Sequence, residues 1–158
     1  MSFNILMSRI QSNPINNLGN NLVVMLTVPV SLITLYLYCK SSEEYDKKLL
    51  GLGIIGQILL FTGTLLNNNN IKELSHIIFY LILAIGCFLI KEKYNKYFIF
   101  ASLLVTLVTR NIYNDCLFTM IQNKKQIYDY SPYFGYSYYI YFIIISYNIF
   151  NNDGLPFR

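Results

Sequence analysis

The sequence predicts an all-α integral membrane protein, built as a bundle of about five transmembrane helices behind a short amphipathic N-terminal segment. Hydrophobic residues make up 54% of the 158 residues and charged residues 13%, against roughly 25% charged in an ordinary soluble domain. The apolar residues also collect in long stretches that carry almost no charge. A stretch of about 18–20 residues crosses a hydrocarbon core of about 30 Å as a helix. A soluble chain of this length could not bury five such stretches.

The apolar stretches divide the chain into three parts. An amphipathic, polar segment is predicted over 1–20 and a polar tail over 151–158, on either side of a five-span bundle over 21–150. The predicted spans are about 21–39, 49–66, 74–90, 97–121 and 133–150. In the first segment Phe3, Leu6, Met7 and Ile10 share one helical face, and Pro14 then disfavours a continuing helix. Both an interfacial helix and a frayed terminus fit this pattern.

Residue usage indicates an AT-rich genome. The chain has 22 Ile, 17 Asn and 15 Tyr but only 2 Ala and no Trp, and codons of the first group are rich in A and T. An organellar inner membrane, or an endomembrane or virion membrane of such a system, is therefore expected. This bias also lowers the weight of each individual Asn and Tyr as a functional signal.

The first two spans carry helix-bending and helix-packing residues. Pro29 predicts a kink in the first span. In the second, Gly53, Gly56 and Gly63 share a face, and small residues let membrane helices approach closely. Gln57 lies beside this face and is expected to hydrogen-bond a neighbouring helix. The segment also matches G-x-G-x-x-G, but without a preceding strand it does not indicate a dinucleotide site.

The third and fifth spans contain no predicted metal or cofactor site. His76 is the chain's single histidine, which leaves haem, di-iron and histidine-zinc sites without a ligand set. It falls in the first turn of its span, where a wetted or capped side chain is expected. The Tyr residues near the start of the fifth span indicate an aromatic belt at the membrane interface. No metal and no cofactor are predicted, and the three cysteines are expected to pack as small apolar residues.

The fourth span contains a charge at membrane depth. Arg110 follows Tyr97 by thirteen residues, or about 20 Å of helix, so the helix must continue to about Ile121 to cross. An unpaired cation at this depth is costly. Helical side chains lean toward the N-terminus, whereas the nearer water lies toward the C-terminus, so the guanidinium cannot easily reach it. We therefore expect Arg110 to hydrogen-bond within the protein. A direct pair with Asp115, five positions on, is not expected. The predicted intramembrane polar cluster consists of Thr106, Arg110, Tyr113, Asn114 and Asp115.

These patterns favour a non-enzymatic function. We expect a structural or accessory subunit of a larger membrane assembly, with the lipid bilayer and other membrane subunits or further copies as partners and no nucleic acid. The alternative is a channel or transporter for an ion, proton or small solute that uses the cluster around Arg110. An enzyme ranks third, because no nucleophile–histidine or multi-carboxylate set lies at membrane depth. In a five-span model more cations fall on one side of the membrane than on the other, which favours the N-terminus outside and the C-terminus inside. The seven on the predicted inner side are Lys40, Lys47, Lys48, Lys91, Lys93, Lys96 and Arg158, and the four on the outer side are Arg9, Lys72, Lys124 and Lys125.

Overall fold

The computed structural model describes residues 14–113 and 132–153, with side chains over 25–112 and 135–151. In these residues the chain forms five α-helices and no strand, so the all-α prediction is confirmed for them. The helices are α1 (Pro14–Lys40), α2 (Glu44–Leu65), α3 (Asn69–Leu89), α4 (Lys93–Tyr113) and α5 (Pro132–Asn148). A π-helical segment, Ile149–Asp153, follows α5 directly.

The helices do not end where the predicted spans end, because polar residues next to an apolar stretch can also be helical. Helix α1 begins at Pro14, ahead of the apolar residues, because proline is well accommodated at the first helical position and the polar residues behind it can be helical. It then runs through Pro29 to Lys40. Helix α4 is described to Tyr113, and the predicted remainder of that span, 114–121, lies outside the described residues.

Three-residue connections, 41–43, 66–68 and 90–92, join α1 to α4 in an antiparallel succession. The connection before α3 explains part of the asparagine run. Asn67 adopts a left-handed φ of 48°, which asparagine tolerates better than most residues. Asn68 then caps α3, since its Oδ1 accepts hydrogen bonds from the backbone N–H of Asn70 at 3.0 Å and of Ile71 at 3.4 Å.

The helices pack in an order that leaves α1 at one edge. Helix α1 packs on α2, α2 on α3, α3 on α4 and α5, and α4 on α5. Phe100 and Phe142 stack with ring centroids 4.8 Å apart, and Asn148 Nδ2 donates to Cys87 O at 2.9 Å. These contacts run α5 antiparallel to α4 and parallel to α3. The two ends of the bundle are called the lysine end (the 41–43 and 90–92 connections) and the asparagine end (the 66–68 connection).

Large apolar side chains are exposed on every helix. Leu32 of α1 is 64% exposed, Ile58 of α2 59%, Phe88 of α3 61% and Ile143 of α5 65%; Val105 of α4 is 49% exposed. Helices α2 and α3 are long and apolar enough to cross a membrane by length and composition.

Candidate functional site

Arg110 lies between α4 and α5. Helix α4 continues past it to Tyr113, and the half-buried side chain reaches Gly135 of α5, which is itself buried. Its guanidinium occupies the space that a Cβ at position 135 would need. The absence of a side chain at Gly135 therefore makes room for Arg110 against the α5 backbone.

Of the other members of the predicted cluster, the structure describes the side chain of Thr106 alone, and its surroundings differ from those of Arg110. The Thr106 hydroxyl donates to Ser102 O at 2.8 Å and lines a cavity that Arg110 does not line. Asn111 Oδ1 accepts a hydrogen bond from the Tyr139 hydroxyl at 2.8 Å, a further polar link between α4 and α5. The Tyr113 side chain, Asn114 and Asp115 lie outside the described residues.

The glycine face of α2 lies at its contacts with α1 and α3. A Cβ on Gly56 would come within 3.1 Å of Ile78 Cγ2, and Ser75 Oγ donates to the Gly56 carbonyl at 2.7 Å. A Cβ on Gly63 would lie 2.9 Å from the backbone nitrogen of Lys72, while Gly53 lies against Thr34 of α1 and Ile82 of α3. Gly56 and Gly63 thus allow close approach of α2 and α3.

Gln57 joins α2 to α1 through a single hydrogen bond. Its Nε2 donates to Thr34 Oγ1 at 2.8 Å, and the Thr34 hydroxyl donates to Val30 O at 2.7 Å. Because that hydroxyl has given its proton to Val30, it must accept from Gln57, which assigns the amide nitrogen to this contact. The side-chain oxygen, Oε1, is buried and has no hydrogen-bond partner among the described residues.

A cavity of about 320 Å³ lies beside Gln57 and Thr34. Four helices contribute to its wall, and Tyr138 adds a side chain from α5. Its exposed lining residues all belong to α1 and α4: Leu26, Ile33, Ala101 and Val105. Those from α2 and α3 are buried or half-buried. The cavity therefore opens sideways between α1 and α4. These two helices have no extensive contacts with each other.

His76 differs from its expected surroundings. Its side chain is buried and lines the same cavity, so of the two expected states, wetted or capped, the wetted one is wrong. The first turns of α3 pack against α2, and the neighbouring Lys72 and Ser75 are buried with it. Lys72 Nζ donates to Asn67 Oδ1 at 3.4 Å. Sequence hydrophobicity could not indicate this burial, because these residues are polar.

A carboxylate pair at the lysine end was not singled out from the sequence. Asp46, fully buried in the first turn of α2, accepts from the backbone N–H of Lys91 at 3.1 Å and of Glu92 at 3.0 Å. It thereby caps the start of α4. In return Glu92 Oε1 accepts from Ser42 N at 2.6 Å and Glu43 N at 3.0 Å, which caps the start of α2. Each carboxylate thus accepts hydrogen bonds from the connection that leads into the other residue's helix.

Asn95 connects the two carboxylates. Its Nδ2 lies 2.8 Å from Asp46 Oδ2 and 3.1 Å from Glu92 Oε2. Burial raises the pKa of Glu92, but hydrogen bonds from Ser42, Glu43 and Ser41 outweigh it and lower the pKa to about 2. Acidic residues near helix starts are a local sign of caps. The sequence could not show that each acceptor lies about fifty residues from the N–H groups that it binds.

Outside these features, the described residues offer little for bound-group chemistry. Across residues 14–113 and 132–153, no three His, Cys, Asp or Glu side chains are grouped to hold a metal ion. Comparisons with protein-family models, with curated proteins and with solved structures find no match to this chain.

Proposed function

We propose that this chain is a multi-pass membrane protein and a non-enzymatic subunit of a larger membrane assembly. The observation that carries the proposal is the exposed apolar surface on all five helices, together with polar caps at the lysine end. Such a surface suits hydrocarbon or other membrane helices better than water. The two candidate spans, α2 and α3, give the membrane assignment further support.

Helix α1 is the surface that we expect a partner subunit to cover. Among the described helices, α2 is the one with which α1 has extensive contacts. Met25, Leu32 and Tyr36 of α1 are 73%, 64% and 61% exposed. Lipid would solvate these side chains equally well, so the subunit role needs a direct test. An amber-suppressed photoreactive residue at Leu32 should crosslink a distinct partner chain in native membranes.

The control for this experiment is a position on the opposite side of the bundle. The same photoreactive residue at Ile143 of α5, also strongly exposed, should give a different crosslinking pattern. Lipid adducts alone at both positions, with a chain that purifies without stoichiometric partners, would contradict the subunit proposal. Resistance of the chain to alkaline extraction would still support the membrane assignment.

A channel or carrier that uses Arg110 is the second candidate. Arg110 is half-buried and joined to α5 through Gly135, a position that suits interhelical packing at least as well as transport. It is also absent from the cavity lining. If the role is transport, Arg110→Leu should abolish flux in reconstituted vesicles without unfolding the chain. Loss of folding stability with no measurable flux in the unaltered chain would favour packing.

A further inference from the structure

The cavity between α1 and α4 combines an apolar wall with one unpaired acceptor. We propose that it binds a lipophilic molecule that carries a hydroxyl group, with the hydroxyl donating a hydrogen bond to Gln57 Oε1. The site is independent of the subunit role, because it requires no partner chain.

The shape and chemistry of the cavity define the apolar part of the ligand. On α4 the lining runs from Phe98 to Thr109, or about 16 Å of helix. Its walls include no Asp, Glu, Lys or Arg, so an ionised group would find no permanently charged partner there, and His76 is the only lining side chain that can become cationic. An elongated hydrocarbon body matches such a wall.

The amide of Gln57 defines the polar part of the ligand. Gln57 is 4% exposed and lines the cavity. Its nitrogen is held by Thr34, and its oxygen has no partner among the described residues. A buried acceptor without a donor is unfavourable, so a group that supplies a proton gains from binding here. A hydroxyl supplies one, whereas an ether or ester of the same shape does not.

The entrance indicates how the ligand arrives. The exposed lining residues belong to α1 and α4 and are apolar. A molecule that enters between these two helices crosses an apolar rim before it reaches the buried amide. This path suits a lipophile that partitions from a membrane or a micelle.

The experiment uses two photoreactive probes matched in number of chain atoms, a long-chain primary alcohol with a mid-chain diazirine and a methyl ether whose alkyl chain is one carbon shorter. The purified full chain in detergent micelles is irradiated with each probe, and crosslinks are located by mass spectrometry. Labelling of the cavity-facing residues of α1 and α4 should saturate, with half-saturation about five-fold lower for the alcohol than for the ether. Equal half-saturation for the two probes, or labelling that does not saturate, would overturn the proposal.

Two variants locate the hydroxyl. Gln57→Met keeps the side-chain length and removes the acceptor, so it should erase the preference for the alcohol. Thr64→Val is the control, since the Thr64 hydroxyl donates to the backbone, at Leu60 O, but lies outside the cavity lining, and it should keep the preference. A preference that survives Gln57→Met would show that the hydroxyl is bound elsewhere and would overturn the proposal.

A third variant keeps the test decisive if Gln57→Met does not fold. Ala101 lies at the exposed rim of the cavity, so Ala101→Phe narrows the entrance without touching the buried amide. It should weaken labelling by both probes at the cavity residues. Undiminished labelling in Ala101→Phe would place the bound probe outside the cavity and overturn the proposal.

Discussion

Replacing Asp46 by alanine removes the acceptor that joins the α2 and α4 ends. Three donors lose this partner: the backbone N–H groups of Lys91 and Glu92 and the Asn95 amide. Loss of a helix cap costs about 0.5–2 kcal/mol, and a buried donor that loses a charged acceptor costs about 1–3 kcal/mol. Asn95 keeps its contact with Glu92, which reduces the second contribution. We therefore expect Asp46→Ala to lower the free energy of unfolding by about 2–4 kcal/mol.

The assay is denaturant unfolding of the purified chain in detergent, followed by far-UV circular dichroism. Glu44→Ala is the matched control, because Glu44 lies two residues away but forms only an exposed pair with Lys48 at 2.6 Å. Exposed pairs of this kind contribute little, so the control should unfold like the unaltered chain. Equal unfolding of Asp46→Ala and Glu44→Ala would refute the reciprocal capping.

Three further predictions concern pH, helix contact and Arg110. The pKa of Glu92 is lowered from 4.5 to about 2, so the ionised carboxylate stabilises the fold above pH 4.5 and this stabilisation is lost as the pH falls toward 2. The free energy of unfolding of Glu92→Gln should therefore depend less on pH between 4.5 and 2 than that of the unaltered chain. Gly63→Ala should destabilise by about 1–3 kcal/mol, since its Cβ meets α3 backbone, while Gly51→Ala, with ordinary contacts, should stabilise by about 0.5–1 kcal/mol; unfolding curves that rank them otherwise would contradict the close approach. Gly135→Ala should lower the unfolding temperature by displacing the Arg110 guanidinium, and this cost should vanish in an Arg110→Leu background; an unchanged cost in the double-mutant cycle would show that the two residues are not coupled.

Hydrophobicity predicted the helices well and their polar contacts poorly. Five apolar stretches indicated five helices, because a run of apolar residues of that length has few other stable forms. The glycines of α2 also indicated a helix contact, because small residues let helices approach closely. Gly56 and Gly63 lie where a side chain would meet α3. These features depend on local composition, which a single sequence carries.

The polar contacts depend on residues that are distant in the chain. Asp46 and Glu92 accept hydrogen bonds from backbone about fifty residues away, and their places near helix starts do not indicate which backbone they bind. His76 was expected to be wetted or capped because it lies in the first turn of its predicted span, and packing of α3 on α2 excludes the wetted position by burying it. Arg110 was expected to bond to a group on another helix, and its observed neighbour is a glycine of α5, which sequence patterns do not single out as a partner for arginine.

The most direct test of the account is the topology of the bundle in a membrane. Single cysteines are placed at Lys48 and Tyr94 near the lysine end and at Asn70 near the asparagine end, all exposed, in a background without Cys39, Cys87 and Cys116. Sealed vesicles are treated with a membrane-impermeant maleimide before and after permeabilisation. A membrane-spanning bundle predicts that Lys48→Cys and Tyr94→Cys label together from one side and Asn70→Cys only from the other. Labelling of all three from the same side of sealed vesicles would contradict it.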